Sequence, residues 1–575
     1  MRERSPHSRI ELTALAAANG DAPSSPTASQ PNGTPADTEK HRLHQNVQPS
    51  RWNTKEFYVY YFLFFTIVPY MIWTACQLSS DKHPNYPIYQ HTLSQGWLFG
   101  RKLDNTDLQY RQFRANIPVL CLVAVIYVAI SQFLDRFSAV DPTGGVKRNA
   151  VVRRTFYLLS SATFMTVICG VNIVKILAIV STNYAIAKLL KGSRLNPLVT
   201  WAFNLAVLLF NDQFEGYGFG MLHESLAFLD AYRGLMPRWE IHFKFAMLRM
   251  VSFNMDYYWA CRGDYQPLPT KNTDPERLRI QTSRKTDEYN YLNYTVYMFY
   301  VPLFIAGPII TFNNFVAQMH HRPASIKYRD TIIYALRVFG AMFLMDAMMH
   351  YIYVVTISKS HAWAGLSAFE ISMVGYFNLK YIWLKLLVIW RFFRLWAMAD
   401  GIEVTENMNR CMSNNYSAQG FWRSWHRSYN RWLIRYVYIP MGGSKYAIYN
   451  MWPVFTFVAV WHDVSFKLLA WAWLICLFIL PEIILTRLTR PYQNWRYYRH
   501  LCAVGGVGNL LMMATANLVG FAVGVDGMQE MFRLILTPSG VTFLVVAPFA
   551  LFGAVQLMFE VRESEKRRGV AAGNY

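Results

Sequence analysis

Long apolar runs alternate along this chain with short polar or basic connections. The runs are Phe57–Ala75, Ile117–Phe133, Phe156–Thr182, Leu198–Phe210, Tyr291–Ile310, Thr331–Thr356, Ile371–Trp390, Phe466–Leu485, Leu501–Val523 and Val541–Met558. Most approach the roughly 20 residues that a membrane-spanning helix needs. Lipid offers backbone groups no hydrogen bonds, so spans of this length are read as helices, about ten to twelve in all, either transmembrane or re-entrant. Phe243–Trp259 is ambiguous, because Lys244, Arg249 and Asp256 interrupt it. It fits a span or an interfacial or re-entrant helix equally well.

The polar stretches set the domain boundaries. Residues 1–52, with APSSPTASQPNGTPADTEK, hold too little apolar surface to offset the entropy of ordering and are predicted to be a disordered tail. They lack the apolar core of a signal peptide, so the run at Phe57 reads as a retained signal anchor. Residues 53–561 form the membrane domain, and 562–575 a charged, solvated C-terminal tail. Within the domain, Gln77–Arg114 is polar and aromatic and predicts a small lid, with Trp97 and Phe99 suited to the membrane interface. Gly263–Glu288 reads as an exposed loop, and nothing repeats at a fixed period.

Composition agrees with the runs. The chain is 53% apolar and only 16% charged, against about a quarter charged in soluble domains. A formal net charge of +21 raises nucleic acid as a partner, but the Lys and Arg residues sit mainly in short loops between apolar runs. There they orient helices and meet anionic head groups, so no nucleic-acid partner is expected. Cys76, Cys121, Cys169, Cys261, Cys411, Cys476 and Cys502 are scattered without metal-ligand spacing and read as buried thiols rather than a disulfide framework. No metal site is expected.

Two histidines stand out. His462 ends the apolar run MWPVFTFVAVWHD, and His426 lies in FWRSWHRSYNRW. An ionisable group inside a membrane segment is costly and usually functional. For His462, burial and the adjacent Asp463 act on the imidazole in opposite directions, which suits a general base. A lone buried histidine is more often structural; a second one 36 residues upstream, beside a basic stripe, favours catalysis. If Ala418–Tyr436 is one helix, Trp422, His426 and Asn430 share a face, and Arg423, Arg427, Arg431 and Arg435 form a stripe beside it. Such a stripe can grip phosphates bidentately or snorkel from an interfacial helix to head groups. Asp346, His350 and Lys385 fit helix-to-helix hydrogen bonding. Cys411 and Cys476 leave a covalent acyl-cysteine as a minor alternative.

The strings FWRSWHRSYNRWLIRYVYIPMGG and VAVWHD resemble the signature of the membrane-bound O-acyltransferases. LSQGWLFGRKLDNTDLQYRQFR, YVPLFIAGPIITFNNF, WLKLLVIWRFFRLWAMADGIEVTENMNRC and FEVRESEKRRG resemble its fungal glycerol-uptake-protein branch, related to the Hedgehog acyltransferase. The likeness covers essentially everything after residue 50. It implies an all-α polytopic fold around a central tunnel, and a multi-pass protein of the endoplasmic reticulum membrane. It also implies transfer of a long-chain acyl group from acyl-CoA, as co-substrate without a further cofactor, to the glycerol hydroxyl of a lyso-glycosylphosphatidylinositol (lyso-GPI) lipid or GPI-anchored protein. In that reading His462 is the catalytic histidine and His426 the second polar position, which is aspartate in the Hedgehog branch. Trp422 lines the acyl-donor tunnel, with Arg423, Arg427, Asn430, Arg431 and Asp463 as further substrate-binding candidates. Alternatives are a protein palmitoyltransferase of the Hedgehog type and a polyol transporter. The second suits the branch's name, yet the sequence shows neither the inverted repeat nor the paired broken helices of such transporters.

Overall fold

The expected apolar runs become helices, with small β-pairings only in the connections. In a computed structural model describing residues 48–140, 146–236, 238–264 and 274–569, seven helical segments are long and apolar enough to cross a membrane. They are Lys55–Leu78, Leu108–Asp135, Ala150–Leu190, Tyr328–Tyr351, Phe466–Tyr492, Tyr498–Ala522 and Pro538–Arg567. The disordered tail expected over 1–52 falls largely outside the described residues. Helices that are more charged or more buried complete the bundle, including the 32-residue Ala368–Ala399 helix, which starts with a Ser367/Glu370 capping box.

Two apolar runs and the C-terminal tail fold differently from their sequence pattern. Tyr291–Ile310 is not one span: helix Tyr291–Met298 stops, and a short turn Val301–Phe304 follows with Pro302 in its first turn. The carbonyls freed by this break are taken up by Arg249, whose guanidinium donates to Tyr297 O (3.3 Å), Met298 O (2.7 Å) and Leu303 O (2.6 Å). Arg249 belongs to the helix Trp239–Arg262, which is neither a lipid-facing span nor an interfacial helix. Most of its residues are buried in protein, so its interrupting charges have protein partners. Asp256 pairs with Arg435 at 2.9 Å. At the C-terminus, the solvated tail expected from 562 is helical through Arg567 and is tied to the body by Arg410–Glu565 (2.9 Å).

Connections fix which face each end occupies. Gln48 N donates to Glu563 (3.3 Å) and Arg51 N to Glu560 (3.1 Å), so the start of Lys55–Leu78 and the end of Pro538–Arg567 share one face, here termed the terminal face. Lys55–Leu78 carries the chain across and Leu108–Asp135 brings it back. Between them lies the expected lid: a short helix, Tyr86–Tyr89, and a two-residue hairpin pairing Ser94–Gln95 with Lys102–Leu103, on the far face. Trp97 and Phe99 are exposed there, and the Trp97 indole donates to Asp346 (2.5 Å). Ala150–Cys169 crosses again to Gly170. The chain re-enters at Trp239 beside that end, where Met236 N donates to Ile168 O (2.9 Å).

Candidate active site

Between these helices lies a cavity of about 2620 Å³. His426 and His462 both line it, as do Trp422, Arg423 and Asn430. Arg427, Arg431 and Asp463 are not among its lining residues.

The first histidine sits at a break rather than on a continuous helix. Ala418–Ser424 ends at Trp425, and Arg427–Leu433 begins after His426, which has φ 46° and ψ 51°. The expected single helix over 418–436, with four arginines in one stripe, is therefore not formed, and Ile434–Tyr438 winds as a π-helix. The arginines separate as a result. Arg431 pairs with Glu276 at 2.6 Å, and Arg435 with Asp256 inside the protein. Arg423 alone of the four lines the cavity.

The turn is held by buried groups. Asn407 accepts from Arg427 N through its carbonyl (3.0 Å) and from Ser428 N through its side-chain oxygen (3.1 Å). Ser428 Oγ in turn accepts from Ile309 N (2.8 Å). The His426 ring stacks on Trp390, with centroids 4.3 Å apart and planes at 20°. Its Nε2 is buried without a hydrogen-bond partner among the described residues, and so is the indole Nε1 of Trp422. Buried polar atoms are rarely left unpaired. Two of them on the wall of one cavity mark groups available to a bound ligand.

Trp422 is reached from the terminal face. Glu482 accepts from Ala418 N (2.8 Å), Gln419 N (3.3 Å) and the Ser417 hydroxyl, which anchors the first turn of Ala418–Ser424. A carboxylate at a helix N-terminus satisfies its free N–H groups and complements the dipole. The helix then points inward and sets Trp422 edge-on against Phe455 (5.8 Å) and Trp471 (5.5 Å).

His462 ends the helix Ala447–His462. Its carbonyl accepts from Lys244 Nζ (2.9 Å), while the neighbouring Trp461 indole donates to Lys244 O (2.9 Å). A cation at a helix C-terminus is favourable, and this one also pairs with Asp212 (3.5 Å). The partner beside His462 is thus Lys244. Asp463 caps the helix with extended backbone and makes no ion pair with the imidazole among the described residues. Trp461 bridges the two histidines, with its ring 4.9 Å from His462 and 6.4 Å from His426.

Sequence reasoning missed Trp390, Lys244, Asn407 and Glu482. Each acts through a contact distant in sequence, so no local pattern marks it. A third imidazole on the cavity wall, His242, was also missed. Asp346 and Lys385 do make the expected helix-to-helix contacts, with Arg114 (2.7 Å) and Asp107 (2.8 Å). Cys476 is buried and contacts Met451 O, and neither it nor Cys411 lines the cavity. The described residues contain no group of three or more metal-ligating side chains.

Residues 230–525 match the MBOAT, membrane-bound O-acyltransferase family. Over 534 residues the chain is 43% identical to "Membrane-bound O-acyltransferase GUP1" of Candida tropicalis, covering 91% of this chain and 89% of that protein. It is also 43% identical to the Saccharomyces cerevisiae protein of that name, covering 91% and 94%. Over 237 residues, 40% of this chain and 47% of that protein, it is 28% identical to mouse "Protein-cysteine N-palmitoyltransferase HHAT".

Proposed function

The chain belongs to the membrane-bound O-acyltransferase family, and we propose that it moves a long-chain acyl group from acyl-CoA to the free glycerol hydroxyl of a lyso-GPI lipid in the endoplasmic reticulum membrane. That it is a multi-pass membrane acyltransferase follows from its family and its spans. The observation that supports the acyl-transfer reading is the shared cavity, lined by His462, by His426 with its unpartnered Nε2 and by Trp422 with its unpartnered indole N–H.

A thioester is already activated, so the enzyme has to supply a deprotonating group, a place for developing charge and the exclusion of water. His462 takes the proton from the acceptor hydroxyl as its oxygen bonds to the thioester carbon. The carbonyl oxygen gathers negative charge, which the Trp422 indole N–H is suited to stabilise. The C–S bond then breaks, and the CoA thiolate leaves with the proton returned from His462. No nucleophilic serine or cysteine is needed.

The two ends of the cavity suit two different substrates. Arg410, Arg423, Arg487 and Lys566 line it toward the terminal face; Arg410 and Lys566 pair with Glu565 and Glu563, so it is Arg423 and Arg487 that favour an anionic nucleotide head group. His462 lies toward the far face, beside Lys244, which favours entry of the acceptor from that side.

The test is acyl transfer by purified protein given labelled acyl-CoA with either a lyso-GPI lipid or a peptide bearing an N-terminal cysteine. Ester formation on the lipid is expected. Amide formation on the peptide alone would replace this reading with that of a protein acyltransferase.

A further inference from the structure

A second polar region of the same cavity is not used by the histidines. It lies where the start of Leu108–Asp135 meets the middle of Ala368–Ala399. Gln109, Gln112 and Asn116 follow one another three and four residues apart on one face of the first helix, and all three are exposed to the cavity they line. Beside them, Tyr381 and Lys385 lie one turn apart on the second helix, where Tyr381 meets Tyr110 (ring centroids 6.4 Å) and Lys385 Nζ meets Asp107 at 2.8 Å. Tyr381 is only 2% exposed, and its hydroxyl has no hydrogen-bond partner among the described residues. It too lines the cavity.

We propose that this vestibule binds the hydroxyl-rich head group, inositol or sugar, of the acceptor lipid. The proposal rests on the acyl-acceptor reading above and gives the acceptor its recognition site. Carboxamides, a phenol and the Lys385–Asp107 pair offer donors and acceptors together, and Lys359, which donates to Thr106 O (2.7 Å), adds one cation beside them. The neutral groups match hydroxyls, which donate and accept at once, and the one added cation suits the phosphate that joins an inositol to glycerol. Phe113 lines the same wall and gives an apolar face for a ring.

The position fits the reaction. From Lys385 to Trp390 is five residues of helix, a rise of about 7.5 Å, and the Trp390 ring stacks on His426. A head group held at Lys385 therefore lies within about two helical turns of the residue that stacks on His426. The vestibule opens near the far face, since Asp107 follows the hairpin that lies there.

The test uses the full chain in lipid nanodiscs with labelled palmitoyl-CoA and three acceptors: lysophosphatidylinositol, its glucosaminyl derivative and lysophosphatidylcholine. Tyr381→Phe removes only the hydroxyl, and Gln112→Leu removes an exposed amide, so neither disturbs packing greatly. Each is expected to raise the acceptor KM about fivefold for the two inositol lipids, the loss of one or two neutral hydrogen bonds, and to leave the palmitoyl-CoA KM unchanged. An equal shift for lysophosphatidylcholine, or no shift at all, overturns the vestibule assignment while leaving acyl transfer intact. A photoreactive lysophosphatidylinositol supplies a readout free of turnover. Labelling of the segments holding Gln112 or Tyr381 in a wild-type protein that acylates none of the lipids supports the vestibule and refutes the proposed reaction. Labelling elsewhere overturns the vestibule.

Discussion

His426 combines an unpartnered, cavity-lining imidazole with an unusual backbone. A non-glycine residue at φ 46° is costly unless its surroundings over-determine it, and here the Trp390 stack and the Asn407 clamp do so. Asparagine tolerates this conformation better than alanine. His426→Asn is therefore expected to unfold at a higher temperature in detergent than His426→Ala, by the equivalent of about 1 kcal/mol, with both slowed in acyl transfer. Equal melting would remove strain as a factor. His462→Ala should cost about 10²- to 10⁴-fold in turnover, the usual worth of a positioned base, while the protein still inserts and melts like wild type. Turnover within a few-fold of wild type would end its assignment as base. His462 was legible because an imidazole is conspicuous in an apolar run, and His426 because it sits among aromatic and basic residues 36 positions upstream. Their unequal settings were not, since the left-handed turn at His426 and the Lys244 contact at His462 depend on residues far away in sequence.

At the scale of elements, the informative differences are places where tertiary partners overrode a local pattern. The charges that made Phe243–Trp259 ambiguous as a span serve the interior: Arg249 satisfies the carbonyls of the broken 291–304 segment, and Asp256 receives Arg435. A sequence read one segment at a time sees an interrupted helix in one place and an intact one in the other, because each is explained by its neighbour. The same logic isolates the break at His426. Asn407, 1% exposed, takes the first two N–H groups of Arg427–Leu433, one of them through its side chain. Asn407→Ala strips the acceptor from Ser428 N alone, a loss of about 1–3 kcal/mol for a buried unpaired donor. It is a positioning residue, so kcat should fall about tenfold, equivalent to about 1.4 kcal/mol in the barrier, with the acyl-CoA KM little changed. A rise in KM with kcat intact would instead place Asn407 in donor binding.

Across the whole molecule, one cavity joins faces of different chemistry, and this determines how two dissimilar substrates can meet. The helical, multi-span plan was legible because run length reports span length. The cavity was not, because its wall is assembled from helices distant in sequence, each contributing a few positions. Arg423 and Arg487 both line the cavity, and both are exposed. Arg487 falls near the end of Phe466–Thr489, a helix that starts just after His462 and so returns to the terminal face. An exposed guanidinium contributes through charge, and charge in water is screened by salt. If these two arginines receive the anionic donor, the double variant Arg423→Gln, Arg487→Gln should raise the acyl-CoA KM about tenfold at low ionic strength, equivalent to about 1.4 kcal/mol. The gap from wild type should close near 1 M salt, where the Debye length is about 3 Å. The acceptor KM should not move, because the acceptor's polar contacts lie at the opposite end. Steady-state kinetics at two salt concentrations, varying each substrate in turn, decides the matter. A salt-independent effect, or one that falls on the acceptor, would mean that donor and acceptor do not enter from opposite ends.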